Sequence, residues 1–382
     1  MNDNRHTAVE VEGLSKSYGP VLALDAVSFA IDSGGYFVLL GPSGGGKTTL
    51  LRLIGGFISP TAGRVLLHGR DVSRLPPNQR PTTMVFQSFA LFPHMTVEGN
   101  VAYGLRLLKL PKEEIGRKLD RMLEMVGLAG LGERMPHELS GGQQQRVQLA
   151  RSLVLERDIL LLDEPLASLD AQLRKDMCLE LKRSQENVGI TFIHVTHNQE
   201  EAMTIADRIA IIADGVLVEE GTPRDIYERP VKRFTAGFVG ENNLLDGSIA
   251  ASDGERVSID LGFARLDMAA GGAAGGAVAA TGDAVTLSIR SELLVLAPRG
   301  HQPDDAMQQI PATYVDEVYL GLTTSHLVRL PNGIEMSVRQ ISEAANAISF
   351  TPGEEVTVGW KTGDARLHTG CAARPLAEPG LP

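Results

Sequence analysis

The amino-acid sequence predicts an α/β domain followed by a smaller all-β domain, because its hydrophobic pattern changes twice along the chain. Short continuous apolar runs at Tyr36–Leu40, Ile159–Leu162 and Thr191–Val195 are typical of strands that are buried on both faces of a parallel sheet. Between residues 89 and 153 only helical periodicity remains, which indicates a helical insertion in the α/β core. After about Gly240, short alternating segments separated by turn residues predict a barrel or a sandwich of strands.

Length, charge and cysteine content limit the kinds of function. The chain has 382 residues, which suggests two or three domains, and its net charge is −11. This acidic excess argues against sequence-independent binding of nucleic acid, which needs a basic surface.

Two cysteines, Cys178 and Cys371, cannot form a disulfide framework. Met1–Glu10 lacks the apolar core of a secretory signal and no stretch approaches the roughly 20 apolar residues of a membrane span, so we expect a soluble chain.

Local sequence patterns predict individual helices, strands and one turn within the two domains. Helical spacing predicts helices at Thr48–Ile54, Val97–Leu108 and Lys112–Val126, and another helix that opens at Ser140. Alternation predicts strands near the end of the chain, at Arg256–Leu261, Ala284–Arg290, His326–Leu330, Ile334–Val338 and Glu355–Trp360. Asn332-Gly333 predicts a hairpin turn, because these residues accept a positive φ at low cost.

The first chemical motif directly follows the apolar run Tyr36–Leu40. Gly41-Pro42-Ser43-Gly44-Gly45-Gly46-Lys47-Thr48 matches the pattern G-x-x-x-x-G-K-[ST] between a strand and a helix. Glycines let the backbone wrap closely around a phosphate chain, and the N–H groups at the start of the following helix favour an anion. We expect Lys47 to reach the β- and γ-phosphates of a nucleotide and Thr48 to ligate Mg²⁺, with Thr49 beside them in the nucleotide site.

A pair of acidic residues ends the apolar run Ile159–Leu162. A carboxylate at the carboxyl end of a strand faces the crevice where open α/β sheets bind their ligands. Asp163 is expected to hold Mg²⁺, directly or through water, and Glu164 to orient or deprotonate the attacking water. Alone, Asp-Glu-Pro would indicate only the end of a strand. Beside a phosphate-binding loop it indicates nucleotide hydrolysis.

Leu139-Ser140-Gly141-Gly142-Gln143 resembles the signature sequence of ATP-binding cassette (ABC) ATPases. Ser140 is a good helix N-cap, and the glycines leave the helix N-terminus open to an anion. The resemblance implies that Ser140, Gly141, Gly142 and Gln143 bind the γ-phosphate of an ATP held by a second copy of the chain. A chain with one phosphate-binding loop and one signature would therefore have to dimerise in order to hydrolyse ATP.

Four further residues match landmarks of this family. The resemblance implies a stack on adenine for Tyr18, contact with Mg²⁺ and the attacking water for Gln87, contact with the γ-phosphate for His197, and a place at the dimer interface for Asp170. These assignments rest on order and spacing, because each residue alone would indicate only a turn or a solvated side chain. Gly45 stands where relatives often carry Ser or Cys, and Asn198 where Asp is frequent, but neither departure removes a group that the chemistry needs.

The resemblance covers nearly the whole chain and implies its domain organisation. It places an ABC ATPase domain at residues 8–240, with a helical subdomain at about 89–153, and a β-rich regulatory domain of small OB-like barrels at 241–382. Ala269–Gly282 is expected to be a loop insertion without a counterpart in the family. OB-like barrels bind nucleic acid in other proteins, but the fold alone does not carry that function over, and the acidic charge speaks against it.

For the whole chain, the resemblance implies the ATP-hydrolysing subunit of an importer. Two copies would sandwich two Mg·ATP and drive two integral-membrane permease subunits, and an external binding protein would deliver the cargo. This places the chain peripherally on the cytoplasmic face of the cell inner membrane. Residues 86–94 and Gly240–Asn243 are most similar to the polyamine (spermidine/putrescine) branch, and importers of ferric iron, sulfate or sugar are the alternatives.

Two other classes of function fit the sequence less well. A soluble ABC ATPase that acts on nucleic acid or ribosomes typically has two cassettes, coiled-coil arms or basic patches, whereas this chain has one cassette and a net charge of −11. A degenerate regulator that does not hydrolyse ATP is inconsistent with the intact Lys47, Asp163, Glu164 and His197.

Overall fold

The computed structural model describes residues 6–86, 91–167, 169–253, 256–269, 280–300, 307–342 and 350–369. Gln87, Ser168, Cys371 and most of the expected loop insertion Ala269–Gly282 lie outside these residues. The chain divides into two compact units, Met1–Arg224 and Asp225–Pro382. This division falls earlier in the chain than the boundary that the sequence predicts near Gly240.

In the described residues of the first unit, ten strands form two sheets. They are β1 (Thr7–Tyr18), β2 (Val21–Asp32), β3 (Tyr36–Leu40), β4 (Ala62–Leu67), β5 (Arg70–Asp71), β6 (Thr82–Val85), β7 (Ile159–Asp163), β8 (Thr191–Thr196), β9 (Arg208–Ala213) and β10 (Val216–Gly221). The central sheet has the order β10-β9-β3-β8-β7-β6, and the second sheet has the order β2-β1-β4-β5. All neighbours in the central sheet are parallel except the edge strand β10, which confirms the parallel sheet expected from the apolar runs.

The structure contains the four helices that the sequence predicts in the first unit, together with α5 and α6, which the sequence did not indicate. They are α1 (Lys47–Gly55), α2 (Val97–Leu107), α3 (Lys112–Met125), α4 (Gly141–Leu153), α5 (Ala171–Val188) and α6 (Gln199–Ile205). Because α2, α3 and α4 come one after another between β6 and β7, the helical insertion is confirmed for the residues that are described there.

Strands β3, β7 and β8 form the centre of the first unit, and every residue in them is buried. Helix α1 packs on β7 and β8 through an apolar face that includes Leu50 and Ile54, in one core with Leu161 and Ile193. The carboxyl ends of β3, β7 and β8 therefore open side by side at one edge of a rigid sheet. The chemical motifs follow directly at that edge.

The part of the second unit that the structure describes contains short helices and two antiparallel sheets. Its elements are α7 (Pro223–Glu228), which spans the division, α8 (Arg233–Phe238), β11 (Asn242–Ser252), β12 (Arg256–Asp260), β13 (Arg265–Ala269), β14 (Ala284–Arg290), β15 (Val295–Pro298), β16 (Met307–Tyr319), β17 (Thr323–Arg329), β18 (Glu335–Ile341), β19 (Glu355–Lys361) and β20 (Arg366–Thr369). The sheet orders are β13-β12-β11-β14-β20 and β15-β19-β16-β17-β18. One apolar core, which includes Tyr314 and Trp360, lies within this unit and confirms the all-β domain.

The turn between β17 and β18 has the geometry that its residues predict. Gly333 has φ 87°, and the Asn332 side chain accepts a hydrogen bond from the Ile334 N–H at 3.1 Å. The two strands that it joins pair in antiparallel register, which confirms the expected hairpin.

In the described parts of the chain, no helix combines the length and the apolar character that crossing a bilayer requires.

Candidate nucleotide site

The glycine-rich loop between β3 and α1 lies tightly against the end of β9. A Cβ atom on Gly41 would lie 1.9 Å from the carbonyl oxygen of Ile212, and one on Gly45 would lie 2.8 Å from the same oxygen. Backbone atoms cannot move aside as a flexible side chain can, so a side chain at either position would force the loop or the end of β9 to shift. The tip of the loop, Ser43 and Gly44, is exposed, whereas Lys47 is buried at the start of the helix.

Lys47 folds back over the loop that precedes it. Its ammonium group donates hydrogen bonds of 2.8 Å to the carbonyl oxygens of Gly41 and Pro42, and the residue is only 4% exposed. Burial lowers the pKa of Lys47, while the carboxylates of Glu164 and Asp163 oppose this effect. The positive charge of Lys47 therefore lies at the carboxyl edge of the sheet, near Asp163 and Glu164 at the end of β7.

Thr48 and Asp163 meet across the same edge. The Thr48 hydroxyl donates a 2.9 Å hydrogen bond to the Asp163 carboxylate, which is 5% exposed. Burial raises the pKa of Asp163, because the ionised form loses hydration that Thr48 only partly replaces. A bound cation would offset this desolvation, and hydroxyl and carboxylate oxygens are the ligands that Mg²⁺ prefers. The two residues fit a magnesium site.

Glu164 and His197 lie together at the ends of the adjacent strands β7 and β8. Their side chains approach to 3.3 Å, between His197 Nδ1 and Glu164 Oε1. Glu164 has φ 47°, which is rare for a residue with a Cβ and costs on the order of 1 kcal/mol. Its N–H donates to the Val195 carbonyl at 3.0 Å, so the left-handed turn is tied to β8. A strained residue at the end of a catalytic strand is a typical feature of functional sites.

The signature segment opens helix α4 with reciprocal hydrogen bonds. Ser140 Oγ accepts from the Gln143 N–H at 3.3 Å, and the Gln143 side chain accepts from the Ser140 N–H at 3.0 Å. A Cβ on Gly141 would meet no atom within 4 Å, while Gly142 faces Leu173 of α5. The start of the helix is therefore capped and open beside Gly141. Within the described residues, the hydrogen bonds of Ser140 and Gln143 remain at the start of their own helix and do not reach the glycine-rich loop.

Two glutamines that the sequence reasoning missed connect this helix to the rest of the site. Gln145, 4% exposed, donates at 2.7 Å to the carbonyl of Pro165, the residue after Glu164. Gln148, 3% exposed, donates at 3.0 Å to the carbonyl of Phe86, the residue before Gln87. Polar side chains on the buried face of a helix could have indicated such bonds, but the sequence does not name their partners.

Tyr18 lies at the end of the β1–β2 hairpin and is 50% exposed. The Lys16 ammonium lies 5.1 Å from the centre of its ring. The hairpin is next to the glycine-rich loop, because the carbonyl oxygen of Ala23 in β2 would lie 2.7 Å from a Cβ on Gly46. An exposed aromatic ring beside a phosphate-binding loop has the surface that stacking on a base requires.

Asp170 and Asn198 act as helix caps. The Asp170 side chain accepts from the Leu173 N–H at 3.0 Å and caps α5. Asn198 accepts from the Glu201 N–H at 3.1 Å and caps α6, so asparagine serves here as well as the more frequent aspartate. Of the predicted site residues, Gln87 alone lies outside the described part of the chain.

Comparison with known proteins shows the family of the chain. The family model described as "ABC transporter" matches residues 24–167, and the one described as "TOBE domain" matches residues 273–367. The spermidine/putrescine import ATP-binding protein PotA of Roseobacter denitrificans is 45% identical over 96% of this chain and 99% of its own length. The protein of the same name from Rubrobacter xylanophilus is 44% identical over 95% of this chain and 93% of its own length.

Solved structures give the same result for the fold. The structure of cbiO1 from Clostridium perfringens, part of the ABC transporter complex cbiONQ, has a TM-score of 0.55 and 30% identity. The match covers 58% of this chain and 90% of that chain. Together with the site, this fold defines an ABC-type ATPase, and the match to the "ABC transporter" family places the chain among those that couple ATP hydrolysis to transport. Within that class, the chain belongs to the family of the import ATP-binding proteins called PotA.

Proposed function

We propose that two copies of this chain bind and hydrolyse Mg·ATP and thereby power polyamine import through two membrane permease subunits. The observation that carries the chemistry is the group of Lys47, Thr48, Asp163, Glu164 and His197 at one edge of the central sheet. Support for the cargo comes from the relatives, which are named as spermidine/putrescine importers and match nearly the whole chain.

Each residue of this group has a distinct task in hydrolysis. Lys47 exchanges its bonds to the Gly41 and Pro42 carbonyls for bonds to the β- and γ-phosphates. Thr48 and Asp163 would hold Mg²⁺, which neutralises phosphate charge when it is bound. Glu164 accepts a proton from the attacking water, and His197, 3.3 Å away, holds the Glu164 carboxylate and contacts the γ-phosphate.

Two nucleotides are shared between two copies of the chain in this proposal. The capped start of α4, with open space beside Gly141, supplies N–H groups to the γ-phosphate that the other copy holds. ATP favours the closed dimer because only that state offers both halves of the site, and a ligand shifts an equilibrium only by its differential affinity. Hydrolysis removes this preference and resets the dimer.

The remaining assignments place the chain in its assembly. We infer that it acts peripherally, on the cytoplasmic face of the cell inner membrane, against two integral-membrane permeases. An external binding protein delivers the cargo to those permeases. Nucleic acid is not a partner in this proposal, because a net charge of −11 repels phosphodiester backbones.

Uptake measurements test the proposed cargo. Cells that lack this subunit should regain uptake of labelled spermidine and putrescine when the wild-type chain is supplied, but not when the Glu164→Gln variant is supplied. Labelled ferric iron, sulfate and sugars serve as parallel substrates in the same cells. If one of those is restored and the polyamines are not, the polyamine assignment is wrong while the importer assignment stands.

The Tyr18→Ala variant should bind ATP about tenfold more weakly, since a base stacked on an aromatic ring is worth roughly 1–3 kcal/mol. Tyr18→Trp should keep the affinity, and GTP should bind nearly as well as ATP to the wild type, because stacking distinguishes bases poorly. Equilibrium binding to the full chain measures all three. Val21→Ala, at the paired position of the same hairpin, is the control for a general loss of apolar surface. An unchanged affinity for Tyr18→Ala would remove Tyr18 from the nucleotide site.

A further inference from the structure

A buried carboxylate lies behind His197. Glu201, in the first turn of α6, is 4% exposed, and its Oε2 accepts a 2.6 Å hydrogen bond from the Thr196 hydroxyl. The same hydroxyl accepts from the Asn198 N–H at 2.9 Å. Thr196 and Asn198 are the two neighbours of His197 in the chain. Glu201 therefore holds the backbone on both sides of His197 through one threonine hydroxyl.

Arg174 connects this carboxylate to a second segment of the site. Its Nε lies 3.5 Å from Glu201 Oε1, while its Nη2 donates a 2.7 Å hydrogen bond to the carbonyl of Leu169. Leu169 directly precedes Asp170, the residue that caps α5 and that the family resemblance places at the dimer interface. One guanidinium thus contacts both Glu201 and the segment that leads into α5.

The surroundings of Glu201 are unfavourable for a carboxylate. Burial raises its pKa, and the Thr196 hydroxyl and the charge of Arg174 oppose this effect. His194 Nε2 lies 3.7 Å from Glu201 Oε2, but burial lowers the pKa of His194 to about 3, so this ring supplies no charge at neutral pH. The Arg174 side chain is 28% exposed, and an ion pair between a partly exposed guanidinium and a buried carboxylate contributes little net stability compared with apolar side chains of similar volume. The contacts that Glu201 and Arg174 make with Thr196 and with the Leu169 carbonyl give a better reason for the presence of this pair.

We propose that Glu201 and Arg174 are positioning residues that fix His197 relative to Leu169 and Asp170 and so hold His197 against Glu164. The inference rests on the proposed roles of Glu164 and His197 in hydrolysis. Neither Glu201 nor Arg174 touches the nucleotide in this proposal. Their effect passes through Thr196 on one side and through the Leu169 carbonyl on the other.

Four variants of the full chain separate this role from a purely structural one: Arg174→Lys, Arg174→Met, Glu201→Gln and the double variant Arg174→Met/Glu201→Gln. Lysine keeps the charge but cannot contact Glu201 and the Leu169 carbonyl with one planar group. Arg174→Met leaves the Glu201 carboxylate without its cation, and the double variant removes that unpaired charge again. Stability should therefore fall in Arg174→Met and recover in the double variant.

Turnover should follow a different order from stability. We expect kcat for ATP hydrolysis to fall about ten- to a hundredfold in all four variants, with the ATP dissociation constant within about twofold of the wild type, because misplacement of a catalytic group affects the reaction and not phosphate binding. Lys182→Met is the matched control: Lys182 lies on the same helix α5 and pairs with Asp207 at 2.7 Å, away from the nucleotide motifs, and its kcat should not change.

The wild-type rate separates the two possible failures. A wild-type chain without ATPase activity would overturn the proposed function and this inference together. If the wild type is active and either Arg174→Lys or the double variant keeps the wild-type kcat, then the pair has only a structural role and the inference alone is wrong. Urea unfolding, followed by far-ultraviolet circular dichroism, gives the stability of each variant in the same preparations.

Discussion

The Glu164→Gln variant should lose about a thousandfold of its ATP turnover while it still binds ATP, since general base catalysis contributes roughly 10²–10⁴ to a rate. Glutamine has nearly the shape of glutamate, so the contact with His197 at the ends of β7 and β8 can persist. The amide cannot take a proton from water. Phosphate binding is unaffected because Lys47 and Thr48 are unchanged. Single-turnover hydrolysis and equilibrium ATP binding by the full chain measure the two effects separately.

The same variant tests dimerisation. Without hydrolysis, ATP should hold two copies together, and size-exclusion chromatography should show a dimer with ATP and a monomer without it. Glu186→Gln makes the same chemical change at an exposed position of α5 and should leave turnover and oligomeric state as in the wild type. A Glu164→Gln chain that hydrolyses ATP at the wild-type rate would remove Glu164 from the catalytic role.

The sequence predicts the central strands β3, β7 and β8 and the helices α1 to α4 of the first unit well, because their signals are local. The largely apolar runs of β3, β7 and β8 are typical of buried strands, and the glycine-rich loop marks the start of α1 by its own residues. Motif order then identifies Lys47 and Glu164 without any knowledge of distances. These residues share the property that their type and their immediate neighbours suffice to indicate their chemistry.

Connections to backbone carbonyls could not be predicted in the same way. Gln145 binds the carbonyl of Pro165, and Arg174 that of Leu169. Every residue has a backbone carbonyl group, so the residue type of the partner does not indicate which carbonyl will accept the hydrogen bond. Only the folded chain brings such groups together. The pair formed by the buried Glu201 and the partly exposed Arg174 could not be predicted either, because charged residues at helix starts are usually solvated.

The division of the chain is a further difference with a physical cause. The sequence predicts a boundary near Gly240, where strand alternation begins, but α8 packs on β11 and β14 of the second unit. Arg290 of β14 is 6% exposed and donates to the carbonyls of Val239 and Tyr227, so the helical segment is bound to the sheet by a buried cation. The sequence placed this segment in the preceding domain because strand alternation begins only after it, and that pattern does not show which sheet a short helix covers.

The Lys47→Met variant should bind ATP about a hundredfold more weakly and lose hydrolysis. Two charge-assisted hydrogen bonds to phosphates are worth together about 3 kcal/mol, which corresponds to that factor. The chain should still fold, because methionine can occupy the same buried space over the loop.

Two controls isolate the loss of the phosphate contacts in Lys47→Met. Lys112→Met removes an exposed charge at the start of α3 and should keep the wild-type affinity. Circular dichroism reports the helices, and the fluorescence of Trp360, the single tryptophan, reports the second unit independently. If both signals are native and the ATP affinity of Lys47→Met equals that of the wild type, then the Lys47 ammonium keeps its bonds to Gly41 and Pro42 when nucleotide binds. Phosphate recognition would in that case rest on the N–H groups of the loop alone, and Lys47 would be a structural residue of the loop.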